Sequence, residues 1–316
     1  MKRLLTSLAA ALAMSSALAW PDRPVTLVVP FPAGGSTDLI ARTLIPKLQE
    51  KLGGSYVVEN RAGATGTIGA AAVARARPDG HTLLVSSLGP FVIAPHLMKV
   101  PYDPLKDLEP LTVAVQAPNV LVVPARSPHR TLADVITYQK ANPDKMSFAS
   151  SGNGSSDHLT AELFWLQTGT SGVHVPYKGG GPVMSDLLGG QVDASFMNIN
   201  TALPQIQSGK LRALAITSAR RSTLLPTVPT LEESGIKEAN VYSWQAFAAP
   251  RGLPDDIRAR LHAALVAGLN DAQVKPKLLE LGFEIVASTP EQFAAYEAGE
   301  FARWKKLIEA RNIKAD

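Results

Sequence analysis

Val25-Thr26-Leu27-Val28-Val29-Pro30-Phe31-Pro32-Ala33-Gly34-Gly35-Ser36-Thr37-Asp38 compresses an apolar β-branched run, a Pro/Gly turn and a cluster of helix-capping residues into one stretch. A strand, a tight turn and a helix start follow one another directly. Gly34 and Gly35 let backbone N–H groups approach a ligand, and Ser36, Thr37 and Asp38 fall where a new helix leaves its first donors unpaired. A carboxylate or phosphate could accept from those donors and from the helix dipole. The same residues also serve a turn that merely changes direction, so the stretch alone leaves both readings open. It lacks the Gly-Lys-Ser/Thr ending of a P-loop and the G-x-G-x-x-G of a dinucleotide fold. Asp38 would repel a highly charged phosphate, so a small carboxylate fits the turn better than a nucleotide does.

The chain around it has 316 residues, enough for two domains with a core each. Hydrophobic content of 46% against 18% charged residues marks a folded globular protein. Met1-Lys2-Arg3, the apolar run Leu4 to Leu18 and the small-x-small triplet Ala17-Leu18-Ala19 read as a signal peptide over residues 1–19, with a mature chain starting near Trp20. Losing Lys2 and Arg3 lowers the formal net charge from +4 to +2. A nearly neutral surface argues against nucleic acid as a partner. The absence of cysteine excludes disulfides, thiolate metal sites, a catalytic thiol and a lipidated cysteine. A soluble, exported protein is expected.

After the first turn, Leu39, Ile40, Leu44, Leu48 and Leu52 recur at helical spacing until Gly53-Gly54, with Pro46 expected to kink the helix. Tyr56 to Glu59 is a short strand leading into the second Gly-rich turn, Asn60 to Gly69. His81 to Val85 is a third strand, with Ser86-Ser87 at its end. This rhythm predicts an α/β fold with a parallel sheet whose ligand loops follow the C-terminal strand ends. An extended segment from Leu111 to Pro124 reads as a crossover into a second domain. There the device recurs at Ser150 to Asp157 and at Lys178 to Pro182, with strands over Met146–Ala149, His174–Tyr177, Val192–Met197 and Leu211–Ile216. Tyr242 to Ala248 is expected to re-enter the first domain, and Thr289-Pro290-Glu291-Gln292 is a capping box for a last helix toward Arg311. The domains expected are 20–121 plus 228–316, and 122–227. The C-terminal third reads as structural.

Motifs for catalysis are thin. The six histidines, at 81, 96, 129, 158, 174 and 262, form no ligand pair, so no metal or other cofactor is expected. No G-x-S-x-G occurs; an exported hydrolase using Ser155 beside His158, or Ser36, is the weaker alternative. Asp38 and Asp193 are the acids flanked by turn or strand signals, each with capping or strand-end service as the plain reading. Phe31, Phe91, Tyr177 and Phe196 stand near turns, where they could line a cleft or fill cores. Lys178, beside three glycines, could pair with an anion or stay solvated.

Together, Pro21-Asp22-Arg23-Pro24-Val25, Pro30 to Asp38, Glu59-Asn60-Arg61-Ala62-Gly63-Ala64-Thr65-Gly66, Pro78-Asp79-Gly80-His81-Thr82-Leu83-Leu84, Val175-Pro176-Tyr177-Lys178-Gly179 and Leu214-Ala215-Ile216-Thr217 resemble the Bug-type periplasmic receptors of tripartite tricarboxylate transporters. The resemblance spans the whole mature chain. It implies a two-domain periplasmic-binding-protein fold of type II, a Venus flytrap with two interdomain crossing segments. It implies capture of a small organic acid, no catalysis, delivery to membrane transporter subunits, and a monomer. Carried over by position, the carboxylate-facing group is Phe31, Ala33, Gly34, Gly35, Thr37 and Asp38, with Gly63, Ala64 and Thr65, and with Ser86 and Ser87. The second domain would add Ser151, Gly152, Ser155, His174, Tyr177, Lys178 and Asp193. A ligand sensor for a membrane signalling partner is the alternative within binding proteins. The identity of the acid is not written in these residues.

Overall fold

A computed structural model describes residues 20–314; the expected signal peptide lies outside the described residues. The opening stretch forms strand β1 (Val25–Val29) and helix α1 (Ser36–Leu52), and the helix runs unbroken through Pro46. Then come β2 (Tyr56–Asn60), α2 (Thr67–Ala74), β3 (Thr82–Ser86), and two short helices, α3 (Ala94–Leu97) and α4 (Pro104–Asp107). The long strand β4 (Leu108–Pro124) carries the chain onward. Beyond it are α5 (Leu132–Ala141), β5 (Ser147–Ser150), α6 (Ser156–Thr168), β6 (Val173–Pro176), α7 (Gly180–Gly189), β7 (Ala194–Asn198), α8 (Ile199–Gln207) and β8 (Leu211–Ile216). The return consists of β9 (Tyr242–Pro250), α9 (Asp255–Leu269), α10 (Lys275–Glu280), β10 (Glu284–Ile285) and α11 (Pro290–Arg311).

β4 belongs to two sheets because its partners change along its length. From Leu108 to Pro118 it pairs antiparallel with β9, which in turn pairs with β3, then β1 and β2; β10 joins β4 at Val115 and Gln116. From Asn119 onward it lies between β7 and β8, and β7 continues to β5 and β6. Within each sheet β1, β2 and β3, or β5, β6 and β7, run parallel with intervening helices, as the strand–turn–helix rhythm requires. Because the strands have both faces covered, they are nearly continuous apolar runs: β4 is buried at every position but Gln116. Phe91 packs against Trp244 and Phe293, and Phe196 against Phe148 and Phe164, so both fill cores.

Pro118 and Asn119 mark the change of sheet. Asn119 N–H donates to Thr217 Oγ1 at 2.8 Å, the Thr217 N–H returns to Asn119 O at 2.9 Å, and the Thr217 hydroxyl donates to Val241 O. Both crossing segments are therefore tied at one buried point. All the parallel strands end their C-terminal edges toward the space between the two sheets, where the Gly-rich turns lie.

Candidate functional site

A cavity of about 430 Å³ opens between the two halves. Three helix N-termini form its polar wall: Gly34, Gly35 and Ser36 at the start of α1, Gly180 and Gly181 at the start of α7, and Asn198, Asn200 and Thr201 at the start of α8. No side chain caps any of the three. Glycine or asparagine follows each strand because the chain must turn sharply into a helix there, and short side chains let ligand atoms reach the free N–H groups. Aligned peptide dipoles then give each end a partial positive charge. Leu39, Met197, Leu281 and Phe283 supply the apolar wall, and among the described residues no charged side chain lines the cavity. The halves touch across it: Asn200 Nδ2 donates to Ser36 Oγ at 3.0 Å.

Of the residues expected at the site, Gly34, Gly35 and Ser151 line this cavity. Asp38 is corrected to a positioning role. Its carboxylate is buried and accepts from Arg42 at 2.9 Å, from Gly34 N–H at 2.9 Å and from Asn60 at 3.0 Å, so it holds the turn from behind. The Arg42 hydrogen bond, opposed by burial and helped by Gly34 and Asn60, holds the Asp38 carboxyl down at about 2. Thr37 is buried beside it, Phe31 packs half-buried against the core, and Ala33 is exposed.

Gly63, Ala64 and Thr65 form the neighbouring loop, pressed against Gly89, and do not line the cavity. Ser86 is buried at the end of β3, with Ser87 following it. Asp193 is corrected outright: it stands at the opposite end of the second sheet, where its carboxylate accepts from the Ser147 N–H and hydroxyl at 2.8 and 2.7 Å. The parallel register places the cavity at the other end of that strand.

The second-half turn is held by hydrogen bonds of its own side chains. Ser151 N–H and Oγ both donate to Asp157, and Ser155 caps α6 while its hydroxyl donates to Gly152 O at 2.6 Å. His158 Nδ1 accepts from Gly154 N–H at 3.0 Å, so the side-chain pairing of Ser155 with His158 that hydrolysis needs is not made. His174 stacks flat on His158 at 3.7 Å and meets Ser150 Oγ at 2.6 Å; burial, and then the neighbouring His158, pushes its imidazole down to about 4. The Tyr177 hydroxyl donates to Asp186 at 2.6 Å, which raises it above the usual phenol range, and Lys178 is exposed and off the cavity wall.

Ten wall residues lie outside the group that the resemblance carried over, Ser36 of the opening turn among them. Gly180 and Gly181 sit in a turn already conspicuous in sequence, and Asn198-Ile199-Asn200-Thr201 follows β7 as Gly35-Ser36-Thr37 follows β1, a legible helix-start signal. Leu281 and Phe283 come from the C-terminal third. Gly282 between them adopts φ +85°, and a Cβ there would meet Ile199 at 2.9 Å, so only glycine lets this turn press against the start of α8.

Two α/β halves that share crossing strands and converge helix N-termini on a cavity define a solute-binding protein of the Venus-flytrap class. Residues 40–313 match the model of the tripartite tricarboxylate transporter family receptor, and the chain belongs to that family of periplasmic binding proteins. It is 41% identical to protein BugT of Bordetella pertussis, over 95% of this chain and 92% of that protein. Among solved structures, it is similar to R. palustris Rpa4515 with adipate (36% identity, TM-score 0.85, 94% of this chain and all of that one). It is also similar to MatC (Rpa3494) from Rhodopseudomonas palustris with bound malate (34% identity, TM-score 0.82, 92% of this chain and all of that one). No helix among the described residues is long and apolar enough to cross a membrane.

Proposed function

We propose that this protein captures a small organic carboxylate in the periplasm, after export by the signal peptide at residues 1–19, and delivers it to a tripartite tricarboxylate-type membrane transporter. The observation that carries the reading is the convergence of three uncapped helix N-termini on a cavity without a charged side chain. Such a wall attracts an anion through N–H groups and partial charges, which release it more readily than a bidentate arginine would. Adipate and malate in the similar structures are both carboxylates. The protein acts without catalysis or a cofactor, as a monomer. Residues 20–121 with 228–316 form one closing body and 122–227 the other, a division supported by the change of sheet after Pro118. Ligand contacts with both bodies favour the closed state.

The test is a thermal-shift screen of carboxylates on protein refolded from denaturant to remove carried-over ligand, followed by calorimetry on the best binder and on Gly35→Val. A Cβ at Gly35 meets nothing nearer than Pro32 O at 3.8 Å, so the fold tolerates the change while the branched side chain covers the start of α1. The expected result is an unchanged melting temperature for the free variant and at least a tenfold loss of affinity. A carboxylate that binds wild type and variant equally would refute the site.

A further inference from the structure

We infer that the acid this receptor takes has an unsubstituted hydrocarbon body, and that Leu39 and Leu281 select it against hydroxylated acids of the same length and charge. The inference rests on the carboxylate reading above and adds what lies between the ligand's ends.

Every polar side chain on the cavity wall already has a partner inside the protein. Ser36 Oγ accepts from Asn200, whose carbonyl oxygen accepts from Thr201 Oγ1. Ser151 Oγ donates to Asp157, and Asn198 Nδ2 is shared between Asn119 and Ser156. What remains for a ligand is the backbone N–H groups at the helix starts and the hydroxyl proton of Ser36, which suit carboxylate oxygens, and the apolar surface of Leu39, Met197, Leu281 and Phe283. Leu39 and Leu281 are 39% and 42% exposed although both are large and apolar. They come from α1 and from the turn after α10, so two separate elements of the first half bring hydrocarbon to one cavity.

Methylene groups laid on this wall leave water at a gain that grows with each group. A hydroxyl laid on Leu39 or Leu281 would exchange water for hydrocarbon that can neither donate nor accept a hydrogen bond. A site discriminates strongly against a polar group it cannot pair.

The test uses matched pairs of diacids with equal chain length and charge: adipate against glucarate, and succinate against tartrate, by calorimetry at pH 7.5 on refolded protein. The unsubstituted member of each pair is expected to bind at least tenfold more tightly. Leu281→Asn and Leu39→Asn, both at exposed positions, are expected to keep the free protein's melting temperature and to narrow the adipate-to-glucarate ratio to threefold or less. Glucarate or tartrate binding as tightly as its partner would overturn the inference while leaving the carboxylate reading intact. A ratio that neither variant moves would overturn the role of the two leucines. Failure of every carboxylate in the screen would overturn the underlying reading and the inference with it.

Discussion

Glu297 offers a quantitative test of the first half's interior. It lies on α11, 2% exposed, at the wall of a hollow of about 290 Å³ that Arg251, Arg258 and Glu109 also line, and its Oε1 has no hydrogen-bond partner among the described residues. Burial pushes its carboxyl from 4.5 up to about 8, with Arg251 pulling it down and Asp103 pushing it up. A carboxyl whose folded value is raised binds its proton more tightly in the native state. Its contribution to stability is therefore intact below the unfolded value near 4.5 and is lost as pH rises from there to about 8. Between pH 5 and pH 7.5 the loss amounts to about 3 kcal/mol. For a chain of this size that is roughly 6 °C in melting temperature. Glu297→Gln keeps the shape and has no proton to lose. Melting the ligand-free proteins side by side at the two pH values should show the variant gaining on wild type by that amount at the higher pH. An equal gap at both pH values would refute the argument that Glu297 is protonated by burial.

The opposite sign applies to Asp38, whose folded value is depressed from 3.8 to about 2: its stabilisation is present above 3.8 and fades as pH falls toward 2. Because Arg42 is half exposed, screening reduces that stabilisation to about 1–2 kcal/mol, which Asp38→Asn should lose in urea unfolding at pH 7 and largely recover near pH 2. Gly154 has φ +73° and would place a Cβ 2.9 Å from Ile93 of the first half, so Gly154→Ala should cost about 1 kcal/mol and weaken ligand binding; an unchanged melting curve would show that this approach carries no strain. Thr217→Val strips the buried Asn119 N–H of its acceptor and Val241 O of a donor, for a loss of about 1–3 kcal/mol measurable by thermal unfolding.

The Gly-rich turns after short apolar strands make much of the fold legible in the sequence, because a parallel sheet imposes that alternation on any sequence that forms it. The extended run to Pro124 and the capping box at Thr289 were legible for the same local reasons, and they correspond to β4 and α11. Of the residues expected at the candidate site, those that line the cavity are Gly34, Gly35 and Ser151, each in a turn that local sequence sets. Asp38 and Asp193 misled because a carboxylate's direction depends on partners far along the chain, Asn60 for one and Ser147 for the other. Leu281 and Phe283 had no local signature at all. They reach the cavity only because Gly282 lets their turn press on α8, more than seventy positions earlier in the chain.

The hydrogen bonds at the change of sheet also connect the cavity wall to both crossing segments. Asn198 lines the cavity, and its amide donates to the side chain of Asn119, which also donates to Thr160 on α6. The backbone of Asn119 is bonded in both directions to Thr217, and the Thr217 hydroxyl reaches Val241 at the threshold of β9. One residue thus joins the cavity wall to both crossing segments. β4 is a single buried strand whose partners change at Pro118, which has no N–H to give to a ladder, and Asn119, so the proposed closure is expected to bend the strand there. A ligand that fixes Asn198 would then act one hydrogen bond away from the change of sheet, where that closure is expected to bend β4.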